Sequence, residues 1–265
     1  MAMLAKIRPK APNLYIFALL LVMLSGCVGG GNIETTSPAE REQQIEEIDV
    51  FEPFNRYIFE VNIFLDSFFL KPITTWYAGI VPSPVRRGAG NFFSNLKSPV
   101  VLANNLLQGE TEAAKITTQR FMINSSVGAL GFFDIADRWG YPSQKTDFGQ
   151  TAGTWGIPHG PFLMLPLFGP SSLRDASGIA VDAIFDPLSY NIIDPQRVLY
   201  ILSGWRVVNN RAYFLGRIEE LYQTSIDPYA SVRSLYFQSR MKTKKPSTEP
   251  DIDDLPDIDE YDFSQ

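Results

Sequence analysis

Residues 54–70 read FNRYIFEVNIFLDSFFL, and this stretch decides what kind of molecule the chain makes. Projected at 100° per residue, Asn55, Arg56, Glu60, Asn62, Asp66 and Ser67 fall within roughly 160° of arc. The rest of the circumference carries Phe54, Tyr57, Ile58, Val61, Phe64, Leu65, Phe68 and Phe69. Phe59, Ile63 and Leu70 interrupt even the polar sector. A helix apolar nearly all round is either buried on every side or faces lipid. If it faces lipid, its Asn, Arg, Glu and Asp must turn toward protein or a wet cavity, because unpaired polar groups in hydrocarbon cost several kcal/mol each. Arg56 with Glu60, and Asn62 with Asp66, stand i, i+4 and are spaced to pair along one face. The polar sector thus reads in two ways: as the lining of a passage behind a lipid-facing surface, or as a stripe solvated beside the membrane.

Upstream, the chain carries an address. Lys6, Arg8 and Lys10 precede the uninterrupted apolar run LYIFALLLVML (14–24), which ends in Leu24-Ser25-Gly26-Cys27. As a helix, eleven residues reach about 17 Å, short of the ~30 Å hydrocarbon core. The layout is that of a secretory signal rather than a membrane span. Cys27, the only cysteine, resembles the lipidated cysteine of a bacterial lipobox, with residues 1–26 as the signal peptide. Val28 is not the aspartate that marks inner-membrane retention in that class, so the expected destination is the outer membrane. Residues 27–48, with Gly29-Gly30-Gly31 and AEREQQIEE, read as a lipidated terminus and flexible tether. The tether is short enough to hold the 54–70 helix at the membrane.

Charge excludes one class of partner. Beyond residue 26 there are 20 cations against 29 acids, and eight of those acids follow Lys245. Without that tail the balance is near neutral, so there is no basic stripe for nucleic acid. The tail, 241–265, combines KTKK, three prolines and the acidic run, a composition that predicts disorder. Between tether and tail, 49–240 suits one domain. Helical patterns dominate it: Phe54–Leu70, Thr111–Asn124, Ser172–Phe185, Gln196–Ser225 and Pro228–Arg240. Ser172-Leu173-Arg174-Asp175 fits a capping-box variant. In 91–109 the asparagines Asn91, Asn95, Asn104 and Asn105 predict caps of short helices and turns around Pro99. Residues 141–170 hold ten Gly or Pro, too many for a long helix, and predict turns with a short hairpin about His159-Gly160. FLMLPLF (162–168) suits an interfacial or buried segment.

Catalytic patterns are scarce. One histidine argues against a His-based metal site, and there is no Gly-x-Ser-x-Gly elbow or P-loop. Ser171 or Ser172 with His159 and Asp175 is an arithmetically possible triad that no spacing selects.

Several separated segments together resemble one known family: FEPFNRYIFEVN (51–62), NFFSNL (91–96), NNLLQG (104–109), RFMINSSVGALGFFDIA (120–136), DFGQTAGTWGIPHGPFLMLPLFGPSSLRD (147–175) and DPYASVRSLYFQSR (227–240). In that order, across 49–240, they are similar to the MlaA/VacJ lipoproteins of Gram-negative outer membranes. The resemblance implies a mainly α, ring-like single domain with irregular Gly/Pro-rich connections, embedded in the inner, periplasmic leaflet. It implies no enzyme, no cofactor and no metal. The implied task is to remove mislocalised phospholipids from the outer leaflet through an amphipathic channel. They would pass to a soluble periplasmic carrier feeding an inner-membrane ABC transporter, which maintains lipid asymmetry. Porin trimers are the other implied partner. Residues 54–70 match the family's membrane-embedded first helix, so Asn55, Arg56, Glu60, Asn62 and Asp66 are candidate channel-facing residues. Residues 128–160 match the part holding its channel-side loop, with Gly128, Gly131, His159 and Gly160 as candidate loop or hinge positions. The alternative is a porin-associated structural lipoprotein that stabilises the outer membrane without moving lipid.

Overall fold

The computed structural model describes residues 49–189 and 196–242. The expected signal peptide, Cys27, the tether to residue 48 and the acidic tail beyond residue 242 lie outside them. The described residues form a mainly α body with one small hairpin. Its first helix is longer than the sequence predicts. α1 (Glu52–Leu65) passes through a five-residue π turn (Asp66–Leu70) into α2 (Lys71–Ile80) without a break. Pro53 sits in the first turn of α1, where a missing N–H costs nothing, and Glu52 meets the positive end of the helix dipole. Pro72 stands two residues past the end of the wide turn, so a residue that ordinarily stops a helix is accommodated.

The π turn also keeps the surface in phase. Up to the middle of the turn the exposed apolar residues fall at 54, 57, 64 and 68; from there on they fall at 69, 73, 76 and 80. An uninterrupted α-helix would instead bring Pro72, Thr75 and Gly79 round to that face. One extra residue in the turn keeps Ile73, Trp76 and Ile80 aligned with the phenylalanines upstream.

Residues 83–108 form two helices, α3 (Ser83–Leu96) and α4 (Ser98–Gln108), each with proline in its first turn. Helices around Pro99 agree with the expectation of short helices there, but the expected caps are absent. The asparagines do not cap; they cross-link helices from within. α4 ends at Gly109, whose φ of 78° only glycine adopts freely. α5 (Thr111–Ser126) follows, then a tight left-handed turn and α6 (Ile135–Arg138), whose N-cap Asp134 accepts from the Asp137 N–H. α7 (Phe148–Thr154) is capped in the same way by Asp147. β1 (Phe162–Leu165) and β2 (Gly169–Ser172) pair antiparallel, with Phe162 opposite Ser172 and Leu165 opposite Gly169. The hairpin therefore turns at 166–168 and not at His159-Gly160.

The Ser172 hydroxyl accepts from the Asp175 N–H and starts α8 (Leu173–Asp182), which stops earlier than predicted. The long helix predicted over 196–225 breaks at Phe214 into α9 (Gln196–Tyr213) and α10 (Leu215–Thr224). α11 (Pro228–Lys242) ends the described chain, two residues past its predicted end. Packing order closes on itself: α2 packs on α9, α9 on α3, α3 on α4 and α5, α4 on α7, α7 on α8, α8 on β1, and β1 on α1. α10 and α11 bridge α2 to β2.

Candidate functional site

The outer face of the first rod is apolar and open. Phe54, Tyr57, Phe64, Phe68, Phe69, Ile73, Trp76 and Ile80 are all exposed, Trp76 to 71%. The rings of Phe64 and Phe68 stack at 5.9 Å, and Phe68 meets Phe69 edge-on at 4.8 Å. At the hairpin tip Leu167 and Phe168 are exposed to 79% and 71%. Soluble monomers rarely present contiguous apolar patches beyond a few hundred Å²; this surface is suited to lipid or a partner. No helix among the described residues is long and apolar enough to cross a membrane.

The inner face of the same rod is polar, and each candidate residue can be placed. Asn55 is fully buried. Its Nδ2 donates to Asp49 Oδ1 (2.8 Å) and to the Phe162 carbonyl (3.0 Å), and its Oδ1 accepts from the Met164 N–H (2.9 Å). Two turns later Asn62 repeats the pattern, donating to the Leu165 carbonyl (3.0 Å) and accepting from the Leu167 N–H (2.9 Å). Seven residues of helix span about 10.5 Å, so that Asn55 meets β1 itself while Asn62 meets the end of β1 and the turn that follows it. Asn55 thus bonds the open edge of β1 as a neighbouring strand would, and Asn62 ties down the hairpin turn. Asn55 satisfies buried groups, the Phe162 carbonyl and the Met164 N–H, that would cost about 1–3 kcal/mol each if left unpaired.

The charged members reach across elements, and the predicted i, i+4 pairs do not form. Arg56 bonds back to Glu52 (2.7 Å) and forks onto Asp227 (3.1 and 2.7 Å) while lying 4.5 Å from the Tyr229 ring centre. The hydrogen bond from Arg56 holds the Asp227 carboxyl below its ordinary range. Asp66, inside the π turn, accepts both forks of Arg211 at 2.8 Å, and Lys71 meets Glu219 at 2.6 Å. Glu60 is exposed. Asn55 is thus closed from solvent, and Arg56, Asn62 and Asp66 are committed to neighbouring elements.

Sequence reading missed a second polar constellation on α11. Tyr229 and Arg233 both reach Asp49 Oδ2, at 2.5 and 2.7 Å. Seven residues on, Tyr236 and Arg240 both reach Asp175 Oδ2, at 2.5 and 2.8 Å. Burial, reinforced by the bond to each aspartate, raises both tyrosine hydroxyls above their ordinary value. The available signal was the repeated Tyr-x-x-x-Arg at 229–233 and 236–240. Buried asparagines form a third set: Asn95 donates to Ser125 and the Leu130 carbonyl, Asn104 to Asp182, and Asn105 to Thr117. Burial raises the Asp182 carboxyl even against bonds from Asn104 and the Phe148 N–H.

The loop candidates are tightly placed. Ala129, Leu130 and Gly131 all take positive φ (52°, 59° and 93°), an unusual left-handed run for two residues with side chains. A Cβ at Gly131 would stand 2.3 Å from the Asn95 side chain, and one at Gly128 2.4 Å from the Phe133 carbonyl. His159 contacts the Arg174 guanidinium (2.9 Å) and lies edge-on to Phe237. Gly160 adopts φ 67° just before β1. The possible Ser/His/Asp set is otherwise engaged: the Ser172 hydroxyl caps α8 and Asp175 holds Tyr236. Among the described residues, no group of three or more His, Cys, Asp or Glu is placed to hold a metal ion.

Comparison with known proteins places this arrangement. The family model for the MlaA lipoprotein matches residues 47–243. The intermembrane phospholipid transport system lipoproteins MlaA of Shigella flexneri and Escherichia coli K12 are each 33% identical over 261 residues, covering 93% of this chain and 98% of theirs. The Haemophilus influenzae protein of the same name is 29% identical, covering 87% of this chain and 89% of its own. A solved structure, described as the structural basis for maintenance of bacterial outer membrane lipid asymmetry, matches with TM-score 0.63 and 32% identity, over 74% of this chain and 99% of that one. The chain belongs to the MlaA lipoprotein family.

Proposed function

We propose that this chain is the outer-membrane lipoprotein of an intermembrane phospholipid transport system. It removes mislocalised phospholipids from the outer leaflet through an amphipathic passage and passes them to a soluble periplasmic carrier. The observation that carries this reading is the inside-out first rod: an in-phase aromatic stripe outside, and amides and ion pairs inside. Such a body is suited to sit among acyl chains while polar groups gather behind the stripe. The packing circuit from α1 back to α1 supports a ring-like body. The names of the relatives supply the transport system and the lipid class. Cys27 is the anchor in this reading, holding the body at the periplasmic leaflet beside porin trimers. No covalent chemistry or cofactor is involved.

Deleting the gene and measuring outer-leaflet phospholipid tests the proposal. An increase restored by the wild-type chain supports transport. Leakiness without that increase favours the porin-associated structural lipoprotein. Cysteines placed at Glu60 and Asp66 should label faster with water-soluble reagents than cysteines at Phe64 and Phe68 once the protein is in bilayers. Equal labelling removes those two from the passage.

A further inference from the structure

The stripe of the first rod ends beside a surface without acids of its own. From residue 67 to residue 109 the chain holds no Asp or Glu, although its net charge is −6. The same stretch carries Lys71, Arg86, Arg87 and Lys97. α9, which packs on both α2 and α3, adds no acid over Gln196–Tyr213. Among the described residues, acids from other elements reach three cations of these helices: Glu219 meets Lys71, Asp66 meets Arg211 and Asp186 meets Arg206. None of the described acids pairs with Arg86 or Arg87. Arg86 donates to the Ser83 hydroxyl at 3.1 Å, and its Nε is buried with no partner among the described residues. Arg87 is exposed.

Position sets what such a pair can meet. Val81 and Pro82 alone join α2 to α3, so the Arg87 backbone stands no more than about 17 Å from Ile80. That reach fits within one leaflet, which measures about 20 Å from headgroup to midplane. The start of α3 is held with its open side outward. Gly88 leaves no space for a side chain against the Phe132 ring, Ala89 is fully buried, and Val85 is exposed. Along the chain the exposed groups therefore run from phenylalanines, through Ile73 and Trp76, to the arginines. Tryptophan sits well at a bilayer boundary because its ring is amphipathic. Arginine suits the same level, its stem lying along acyl chains while the guanidinium reaches the headgroups. The other end of the rod differs, because charges of both signs close on one another there: Glu52 with Arg56, Arg56 with Asp227, and Asp49 with Arg233.

We infer that Arg86 and Arg87 form a headgroup-level contact for anionic phospholipid at the end of the acyl-facing stripe. The inference rests on the bilayer placement of the first rod and adds a lipid preference to it. A guanidinium matches a phosphate with two parallel bonds. A pair of them without local acids attracts a net-anionic lipid surface more than a zwitterionic one. The exposed aromatic stripe leading to the pair selects lipid over an acidic protein as the occupant.

The test is co-sedimentation of the full-length chain with two kinds of vesicle. One is phosphatidylcholine alone, and in the other phosphatidylglycerol makes up about a third of the lipid, enough to set a negative surface potential. Cys27→Ala in every chain removes the acyl anchor, which would mask the differences. The phosphatidylglycerol vesicles should be bound roughly tenfold more tightly. That preference should vanish in about 1 M salt, where the screening length falls to about 3 Å. Arg87→Gln should weaken binding to the anionic vesicles about fivefold, leaving phosphatidylcholine binding and the melting temperature unchanged. Lys115→Gln, the same charge loss on α5, should not weaken it. An undiminished preference in Arg87→Gln overturns the inference and leaves the pair to an acidic protein. Equal binding of both vesicles by the parent chain overturns it, and so does an equal loss in Lys115→Gln, which reduces the effect to net charge. In each of these cases, phosphatidylcholine binding that persists keeps the bilayer placement standing. Binding to neither vesicle sinks that placement as well.

Discussion

α1 and α11 are opposite solutions to helix placement. α11 buries its aromatic rings, Tyr229, Tyr236 and Phe237, and is fastened by two Asp–Tyr–Arg knots. α1 leaves most of its aromatic rings outside and fastens itself with two amides and the Arg56 fork, to which the π turn adds the Arg211 fork on Asp66. A helix whose rings go inward draws on the hydrophobic effect for folding. One whose rings go mostly outward leaves much of that driving force to be collected from a membrane, and its seat is specified by its polar contacts together with buried Ile58 and Phe59.

Breaking the knots should have the largest effect. Asp175→Ala leaves Tyr236 and Arg240 without their shared carboxylate, and should cost about 3–5 kcal/mol, the usual cost of removing one partner of a buried charge pair. Denaturant titration in detergent reads it. Asn55→Leu comes next. It strips the Phe162 carbonyl and the Met164 N–H of partners and should cost roughly 3 kcal/mol, with faster hydrogen exchange confined to β1. The outer stripe should behave differently: Phe68→Ser is expected to stay within about 0.5 kcal/mol of wild-type stability. Binding to vesicles should fall about tenfold, because a phenylalanine side chain leaves the apolar phase. An equal loss of stability at Phe68 would erase the contrast between the helices.

pH sharpens the same comparison more gently. The charge and hydrogen bond of Arg240 outweigh burial and hold the Asp147 carboxyl below its ordinary 3.8. A lowered carboxylate contributes stability above its unfolded value, and that contribution fades as pH falls through the folded value. The difference in melting temperature between wild type and Asp147→Asn should therefore be full near pH 6 and shrink below about pH 4. The smallest expected effect is that of deleting Phe69. One residue fewer converts the π turn into ordinary helix while keeping both halves of the stripe in phase. Stability should shift by about 1 kcal/mol or less, with vesicle binding kept. Deleting Val61 is the contrasting control, since it rotates Asn55 away from β1.

Sequence reading located the inside-out helix because its apolar excess is too great for a solvated face. It did not extend that helix past Leu70, because Pro72 reads as a breaker unless a wide turn precedes it. Ser83-Pro84 and Ser98-Pro99 start α3 and α4, and their pattern alone assigns the asparagines behind them to caps. Asparagine at a helix end and asparagine buried between helices look alike in one dimension. Their partners Ser125, Thr117 and Asp182 lie 30, 12 and 78 residues away. The knots were hidden by the same distance, although the repeated Tyr-x-x-x-Arg was in view.

The Asp49 knot has a consequence for the order in which the body can assemble. It joins residues 180 and 184 positions apart. A chain delivered N-terminus first reaches Asp49 early and Arg233 nearly last. Asn55 shares that carboxylate, so the seat of β1 on α1 is unfinished until α11 arrives. Contacts of such long sequence separation form slowly, because the loop must close before anything is gained. Until then Phe162, which packs against Tyr229, Tyr236 and Phe237 of α11, is uncovered. The fold thus places its slowest step at the end of synthesis, and the nascent chain is most in need of a chaperone during the interval before α11 docks.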